Sequence, residues 1–355
     1  MTIKINYLDC ISDDLIEVLN KQASFFSSWS WYRLLINTAI TQDDCFFLAY
    51  EDNAIILPVR YNNIRYCRLL MSLTNFYSPL YHIVYKTSSE QSIRQLGAFF
   101  KELTIPWDVL QLQPMSQDDA MSVVNQLKAA KIPAISFFCF GNWYLDVKGR
   151  CYDDYFAGLA SQVKNTVIRK TKKFNAIPHA KLVIVSSEQD LDTAIPAYNR
   201  VYKASWKTEE AYPEFIAGLC RLAAEQGALR LGLAYINNIA VAAQLWIVAD
   251  NTAYIYKLAY DEAYKNYGIG SVLTAKLMQH VIDVDKVATV DYLTGDDAYK
   301  KDWMSHRRER WGILAFNMAT FRGVLALSIE FSKRYIKIIW NALNSLLRAQ
   351  VYTAR

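Results

Sequence analysis

The chain has 355 residues, 53% hydrophobic and 21% charged, with 24 Tyr, 16 Phe and 9 Trp and a net charge of +5. That apolar content excludes disorder and can fill two cores, and a length well above the roughly 100–200 residues of one domain makes two domains the expectation. The small net charge excludes a strongly basic nucleic-acid face, so no DNA contact is expected, and leaves an anionic small ligand or a membrane surface as fitting partners.

The first half opens with a helical stretch from Asp13 to Gln22, then an aromatic segment, Phe25 to Tyr32, that runs into a second helix. Apolar, β-rich runs follow at Cys45–Tyr50 and Ala54–Tyr61, separated by Glu51-Asp52-Asn53 as a polar hairpin turn. Next come a strand at Cys67–Leu73, a helix from Glu90 to Leu103, a strand at Asp108–Gln113, a helix from Asp118 to Ala130 and a strand at Ala134–Asp146. The second half repeats this order. It has one long helix from Tyr152 to Asn175, a strand at Lys181–Val185, two helices ending near Ala204 and Gln226, and a meander of three strands, Arg230–Ile236, Ile239–Ala249 and Thr252–Ala259. Asn237-Asn238 and Asp250-Asn251 join these strands, and both pairs favour the positive φ of tight hairpin turns. A two-glycine loop, a helix at Ser271–Val284, a strand at Ala288–Leu293, a short helix near Asp297–Trp303 and a strand at Trp311–Asn317 complete it. The fold class expected is α/β, with a mixed sheet in two similar halves, although no residue-level repeat is visible.

Six cysteines, at 10, 45, 67, 139, 151 and 220, show no CxxC spacing, and the four histidines have no ligand spacing with them or with carboxylates. Neither a disulfide framework nor a metal site is expected. Met1-Thr2-Ile3-Lys4 lacks the basic-then-apolar order of a signal peptide, and no uncharged apolar run approaches the ~20 residues that cross a bilayer, so the expected location is the cytoplasm.

Lys265-Asn266-Tyr267-Gly268-Ile269-Gly270-Ser271 lies between a strand and a helix with a buried apolar face. Glycines let backbone N–H groups turn toward a ligand, and the positive end of the following helix favours phosphate, so such a loop can hold a pyrophosphate. An ordinary helix-entry turn has the same composition.

The loop resembles the pyrophosphate loop of the GNAT superfamily, Arg/Gln-x-x-Gly-x-Gly/Ala, with Lys265, Gly268 and Gly270 in the matching places. Lysine at the first position keeps the charge but loses the planar donor fork. Around it, Tyr256-Lys257-Leu258-Ala259-Tyr260-Asp261, Asp291-Tyr292-Leu293-Thr294-Gly295 and Tyr299-Lys300-Lys301-Asp302-Trp303 look like the motifs of the BioF/CelD-type acetyltransferase family, related to the FemABX-type transferases. Ser205-Trp206-Lys207, Leu73 to Pro79 and the basic stretch Arg169 to Lys173 resemble it too, so the likeness spans most of residues 20 to 320. It implies tandem GNAT-like domains, 1–147 on the acceptor side and 148–320 binding an acyl-coenzyme A, followed by an amphipathic helix over 321–355. It also implies transfer of an acyl group, acetyl first among them, from the thioester to an amine or hydroxyl of a small molecule, a sugar or a polysaccharide precursor. Some relatives accompany polysaccharide synthesis, so a non-catalytic component of such a complex stays open. So does FemABX-like aminoacyl transfer from tRNA, which the modest charge does not favour.

On this reading Leu258, Ala259, Lys265, Gly268, Ile269, Gly270 and Ser271 hold the cofactor. Acyl transfer needs a base for the nucleophile and an acid for the leaving thiolate. Asp291, at a strand end, is the candidate base, or else a turn-capping carboxylate, and Tyr299 is the candidate acid, or else packing. Lys300 joins them as a cation that neutralises the acceptor or pairs with Asp291, and a solvated surface lysine is the plain alternative. Lys207 offers the same from across the cleft. Gln244 interrupts an apolar strand, where burial without a partner costs about 1–3 kcal/mol, and is therefore expected to face the cleft. Asn75 and Tyr77 offer hydrogen bonds to an acceptor, or else make a tight turn.

Lys164, Arg169, Lys170, Lys172 and Lys173 cluster on one helix, either as a solvated face or as a guide for the anionic acceptor or the 3′-phosphate of coenzyme A. Finally, Arg322 to Arg348 reads as one helix with Leu327, Phe331, Tyr335, Ile338, Ala342 and Leu346 on one side and Glu330, Lys333, Lys337, Asn341, Asn344 and Arg348 on the other. It packs on the body of the protein or lies on an anionic membrane.

Overall fold

The tightest turns of the second half fall where their residue types place them: Asn237, Asn238, Asp250 and Asn251 have φ of 51°, 64°, 50° and 56°, left-handed values that Asn and Asp tolerate best. A computed structural model describes residues 3–22, 24–40, 43–50, 54–64, 67–86 and 90–334, with 336 and 340. The Glu51-Asp52-Asn53 turn and the tail positions Tyr335, Lys337, Ile338, Asn341, Ala342, Asn344, Leu346 and Arg348 lie outside the described residues.

The first half contributes β1 (Ile3–Tyr7), β2 (Asp44–Tyr50), β3 (Ile55–Ile64), β4 (Cys67–Ser72), β5 (Val84–Tyr85), β6 (Val109–Ser116) and β7 (Ala134–Asp146). The second contributes β8 (Lys181–Val185), β9 (Leu229–Ile236), β10 (Ile239–Ala249), β11 (Thr252–Tyr260), β12 (Thr289–Asp291) and β13 (His306–Phe316). The helices are α1 (Asp13–Gln22), α2 (Trp29–Ala39), α3 (Glu90–Lys101), α4 (Gln117–Ala129), α5 (Tyr152–Ala157), α6 (Ser161–Asn175), α7 (Leu191–Lys203), α8 (Pro213–Glu225) and α9 (Ile269–Asp283).

All the strands join one mixed sheet in the order β1-β2-β3-β4-β6-β13-β7-β12-β11-β10-β9-β8, with β5 beside β3. From either end the plan is the same. Four strands run antiparallel, β1 to β4 or β8 to β11. A parallel neighbour follows, β6 beside β4 or β12 beside β11. The next strand comes from the other half: β13 sits between β6 and β7, and β7 pairs with β12. The chain therefore repeats one unit in tandem, and each unit lends its last strand to the other.

Burial follows this plan. One core, with Phe46, Leu57, Phe99 and Leu127, lies between the first half's strands and α3 and α4, and a second, with Trp246, Val272, Met278 and Val290, lies under α5, α6 and α9. A third is shared: Trp31 of α2 meets Phe215 of α8 edge to face at 5.6 Å, and Phe26 stacks with Tyr256 at 6.1 Å. Aromatic pairs of this geometry add to area burial in tying the halves together.

Beyond β1 and β5, which the sequence did not indicate, four features differ from the sequence expectation. The helix expected from Tyr152 to Asn175 is two, because Gly158 closes the first and Ala160 turns extended before the second. β12 stops at Asp291 because Leu293 and Gly295 take φ of 53° and 105° and steer the chain out of the sheet. β13 begins five residues early, at His306, because Arg307 pairs with Asp296 on the surface and Arg308 with the buried Asp291. The tail, helical over 321–334, turns Gly323, Leu327, Glu330 and Arg334 inward and leaves Phe331 exposed, since Gly323 lets the helix press on the carbonyls of Asn317 and Asp108.

Candidate active site

β11 and β12 pair only from Thr252↔Thr289 to Tyr254↔Asp291. Beyond that point β11 continues to Tyr260 while the chain after β12 leaves the sheet, and the wedge between them opens into two cavities. The first, of about 380 Å³, is lined by Gln162, Val163 and Thr166 of α6, Leu258 and Tyr260 of β11, and Gly270, Ser271 and Thr274 of α9. The second, of about 200 Å³, is lined by Tyr77, Lys207, Lys257, Thr294 and Lys300. Leu258, Tyr292 and Tyr299 line both. The corresponding wedge of the first half is shut: past Met71↔Gln111, Ser72 and Thr74 donate to the Gln113 carbonyl at 2.7 and 2.8 Å, and the Tyr81 amide to that of Pro114.

The first cavity ends on a helix start. Gly268 caps α9 with φ 62°, and the leading amides of a helix lack intrahelical acceptors, which favours an anionic group there. A side chain added at Gly270 would lie 3.4 Å from the Tyr260 ring, on the cavity wall. Gln244 is buried and satisfied from within: its Nε2 donates to Gly270 O at 3.0 Å and Thr274 Oγ1 at 2.8 Å, and its Oε1 accepts from Trp246 Nε1 at 3.0 Å. It lines the cavity while bracing the first turn of α9. Ile269 and Ala259 are core residues, and Ser271 lines the wall. Lys265 is on the surface, 3.8 Å from Glu262. The cation that reaches the loop is Lys170 of α6, donating to Asn266 O at 2.6 Å, with Lys173 over the Tyr267 ring at 4.7 Å.

The second cavity is cationic. Lys257 pairs with Glu210 at 2.9 Å, Tyr77 donates to the other oxygen of Glu210, and Tyr256 donates to Tyr77 O at 2.8 Å. Lys207 lies over the rings of Tyr202 and Trp206 at 5.8 and 5.9 Å. Burial, then the charge of Lys257, lowers its pKa to about 8. Lys300, 4% exposed, donates to Thr294 O at 2.6 Å and meets Asp297 at 3.3 Å, so it fixes the loop that walls the cavity, and burial lowers its pKa. Tyr299, 44% exposed, stands edge-on to Tyr292 at 5.8 Å where the cavities meet, its phenol pushed up to about 12 by partial desolvation and then by the charge of Asp297. Asn75 does not line this cavity: its Nδ2 donates to Ala39 O at 3.1 Å and its Oδ1 accepts the Tyr77 amide at 2.9 Å, a turn that places Tyr77.

Asp291 is fully buried and lines a different cavity on the first half's side. Its oxygens accept from Asn142 Nδ2 at 2.6 Å, the Leu293 amide at 2.6 Å and the Arg308 guanidinium. Its lone pairs are committed to positioning the end of β12. Sequence reading missed Glu210, Asn142, Arg308 and Arg310. Their partners lie 17 to 168 residues away, and only Arg308 and Arg310 gave a signal, as charges two apart in the charged run that leads into the apolar Trp311–Phe316.

Residues 161–301 match the sequence family described as Acetyltransferase (GNAT) domain. The chain carries a GNAT acyltransferase domain. With the repeated topology, the fold is a tandem of GNAT-like units. FemX has the same fold at a TM-score of 0.62 and 10% identity, over 88% of this chain and 97% of its own. L-PGS from Bacillus licheniformis follows at 0.54 and 10%, over 91% and 97%, and a conserved protein of unknown function from Bacteroides thetaiotaomicron at 0.55 and 10%, over 86% and 96%. No curated protein matches this chain in sequence. Among the described residues no cluster of His, Cys, Asp and Glu fits a metal, and no helix is long and apolar enough to cross a membrane.

Proposed function

We propose that the second GNAT unit binds an acyl-coenzyme A, acetyl-coenzyme A in the first instance, along the cavity at the start of α9, and passes the acyl group to an amine or hydroxyl in the adjoining lysine-lined cavity. The meeting of the two cavities at Leu258, Tyr292 and Tyr299 carries this reading. The start of α9, with Gly270 and Ser271, would hold the pyrophosphate, and Lys170 and Lys173 supply cations beside it. Uncharged Lys207 takes the proton of the nucleophile as its bond to the acyl carbon forms, and Tyr299, protonated throughout the neutral range, gives a proton to the departing sulfur. The closed wedge of the first half leaves that unit to shape the acceptor side through Tyr77. Isothermal titration of acetyl-coenzyme A into the protein and into Gly270→Val tests this. Micromolar binding lost in the variant supports it, and no heat with the intact protein overturns it. Gly268 is left alone because its φ penalises any side chain.

We infer separately that the acceptor lies at an anionic membrane. Phe321, Leu325, Ile329, Ile336 and Trp340 are exposed at helical spacing, with Arg322 and Lys333 beside them, and apolar and basic side chains together suit such a surface. Flotation with phosphatidylglycerol vesicles, lost in the Leu325→Glu/Ile329→Glu protein, is the expected result, and undiminished flotation of that protein overturns it.

A further inference from the structure

A third cavity, about 470 Å³, lies at the centre of the sheet and is used by none of the chemistry above. Its floor is four adjacent strands: Arg308 and Arg310 of β13, Phe140 and Asn142 of β7, Thr289 and Asp291 of β12, and Thr252 and Tyr254 of β11. Its roof comes from the first half: Lys21, Ser24, Phe26, Pro79, Leu80 and His82. Pro79 and Leu293 line both this cavity and the lysine-lined one, so the two are neighbours.

The charges of this cavity are unbalanced at one residue. Arg308 is matched, to Asp291 and, at 2.7 Å, to Asn142 Oδ1. Arg310, 7% exposed, has no carboxylate partner among the described residues. Its one hydrogen bond there goes to the same neutral Asn142 oxygen at 3.2 Å, already shared with Arg308. The other acids nearby are engaged or peripheral: Asp250 accepts the Phe25 amide at 3.2 Å, and Asp119 lies 3.9 Å from His82. Lys21, on the rim, pairs with Glu17. No nitrogen of Arg310 is both sealed from solvent and unpartnered, so the four donors left over open onto the cavity, where an anion can take them. Consistent with this, burial and then Arg308 depress the Arg310 pKa to about 10.

We infer that this cavity binds an anionic oxygen group, a carboxylate or a phosphate, against Arg310, and that the group belongs to the molecule whose nucleophile enters the lysine-lined cavity. The anion site stands on the geometry of Arg310 alone. Its assignment to the acceptor rests on the proposed acyl transfer.

The test is titration calorimetry with inorganic phosphate and, separately, malonate, on the intact protein, Arg310→Gln, Lys21→Glu and Gly270→Val. Millimolar binding of at least one anion is expected, at least tenfold weaker in Arg310→Gln, two- to fivefold weaker in Lys21→Glu and unchanged in Gly270→Val. The tighter of the two anions distinguishes phosphate from carboxylate. No binding to the intact protein, or equal binding by Arg310→Gln with a native circular dichroism spectrum, overturns the site. If Arg310→Gln does not fold, unchanged affinity in Lys21→Glu does so instead. These readings are independent of acetyl-coenzyme A binding, so the donor reading and the anion site fail separately.

Discussion

Gln244 and Gly270, 26 residues apart in sequence, are joined by a 3.0 Å hydrogen bond from the amide of a central strand to a carbonyl in the first turn of α9. The amide that holds the helix start is itself held by Trp246 and Thr274. Gln244→Leu leaves the Trp246 indole N–H without its acceptor in a buried place, so a loss of about 2 kcal/mol in urea unfolding is expected. Binding of acetyl-coenzyme A should weaken about tenfold, while anion binding at Arg310 stays as it was. Unchanged donor binding in a destabilised variant would reduce Gln244 to a core residue.

Tyr299→Phe removes one oxygen at the junction of the two cavities. General acid catalysis contributes roughly 10²–10⁴-fold, so kcat is expected to fall by about 10² with KM within twofold. Because partial desolvation and Asp297 raise the phenol to about 12, no loss of rate to Tyr299 ionisation is expected below about pH 10. A rise in KM with kcat preserved would make Tyr299 a binding wall.

As the base of the proposed transfer, Lys207 would give the rate a pH dependence of its own. With a pKa lowered to about 8, it is mostly charged at pH 7 and uncharged at pH 9, so the rate is expected to climb through pH 8 and level off. Lys207→Met should flatten that limb. The linkage to stability has the same sign: the unfolded lysine binds a proton up to about 10.5 and the folded one only to about 8, so stability rises with pH across that window. A rate profile unchanged in Lys207→Met would assign the proton transfer elsewhere.

The parts of this fold that were legible in the sequence are those set by local chemistry. The Asn and Asp turns of the second meander, the apolar runs of β9 to β11 and the glycine entry to α9 carry their signals within a few residues. β1 was missed because Ile3–Tyr7 offers only five residues of alternation, and the first residues of β13 because four of them are charged. The candidate site was half visible. Tyr77, Lys207, Tyr299 and Lys300 line one cavity, but Asp291 reads like a base in sequence and is enclosed by Asn142 and Arg308, whose partnership spans 166 residues. No pattern within a few residues encodes which carboxylate a distant arginine will take.

Asp108 supplies a test outside the site. It is fully buried, and Arg68 holds it with Nη2 at 2.6 Å, Nε at 3.0 Å and its backbone amide at 2.8 Å. Arg68 keeps the carboxyl down at about 2. A depressed acid stabilises the fold above its ordinary value of 3.8, and that contribution is lost as pH falls toward 2. Asp108→Asn should therefore cost about 3 kcal/mol at neutral pH and much less at pH 2, read by urea unfolding at both. An equal loss at the two pH values would put the effect down to packing.

The exchange of β7 and β13 predicts what happens when the chain is cut between Val147 and Lys148. Residues 1–147 keep β6 and β7 but lose β13, the strand that lies between them and pairs with both. Residues 148–355 keep β12 and β13 but lose β7, which joins them. Each piece would also expose its side of the shared core, including Trp31 or Phe215. Unpaired strand edges beside open apolar surface favour aggregation over folding. Neither piece is expected to melt cooperatively alone, whereas the two co-expressed should co-purify and recover a single transition. A sharp thermal transition from isolated 1–147 would show that the first unit can close its sheet without the borrowed strand.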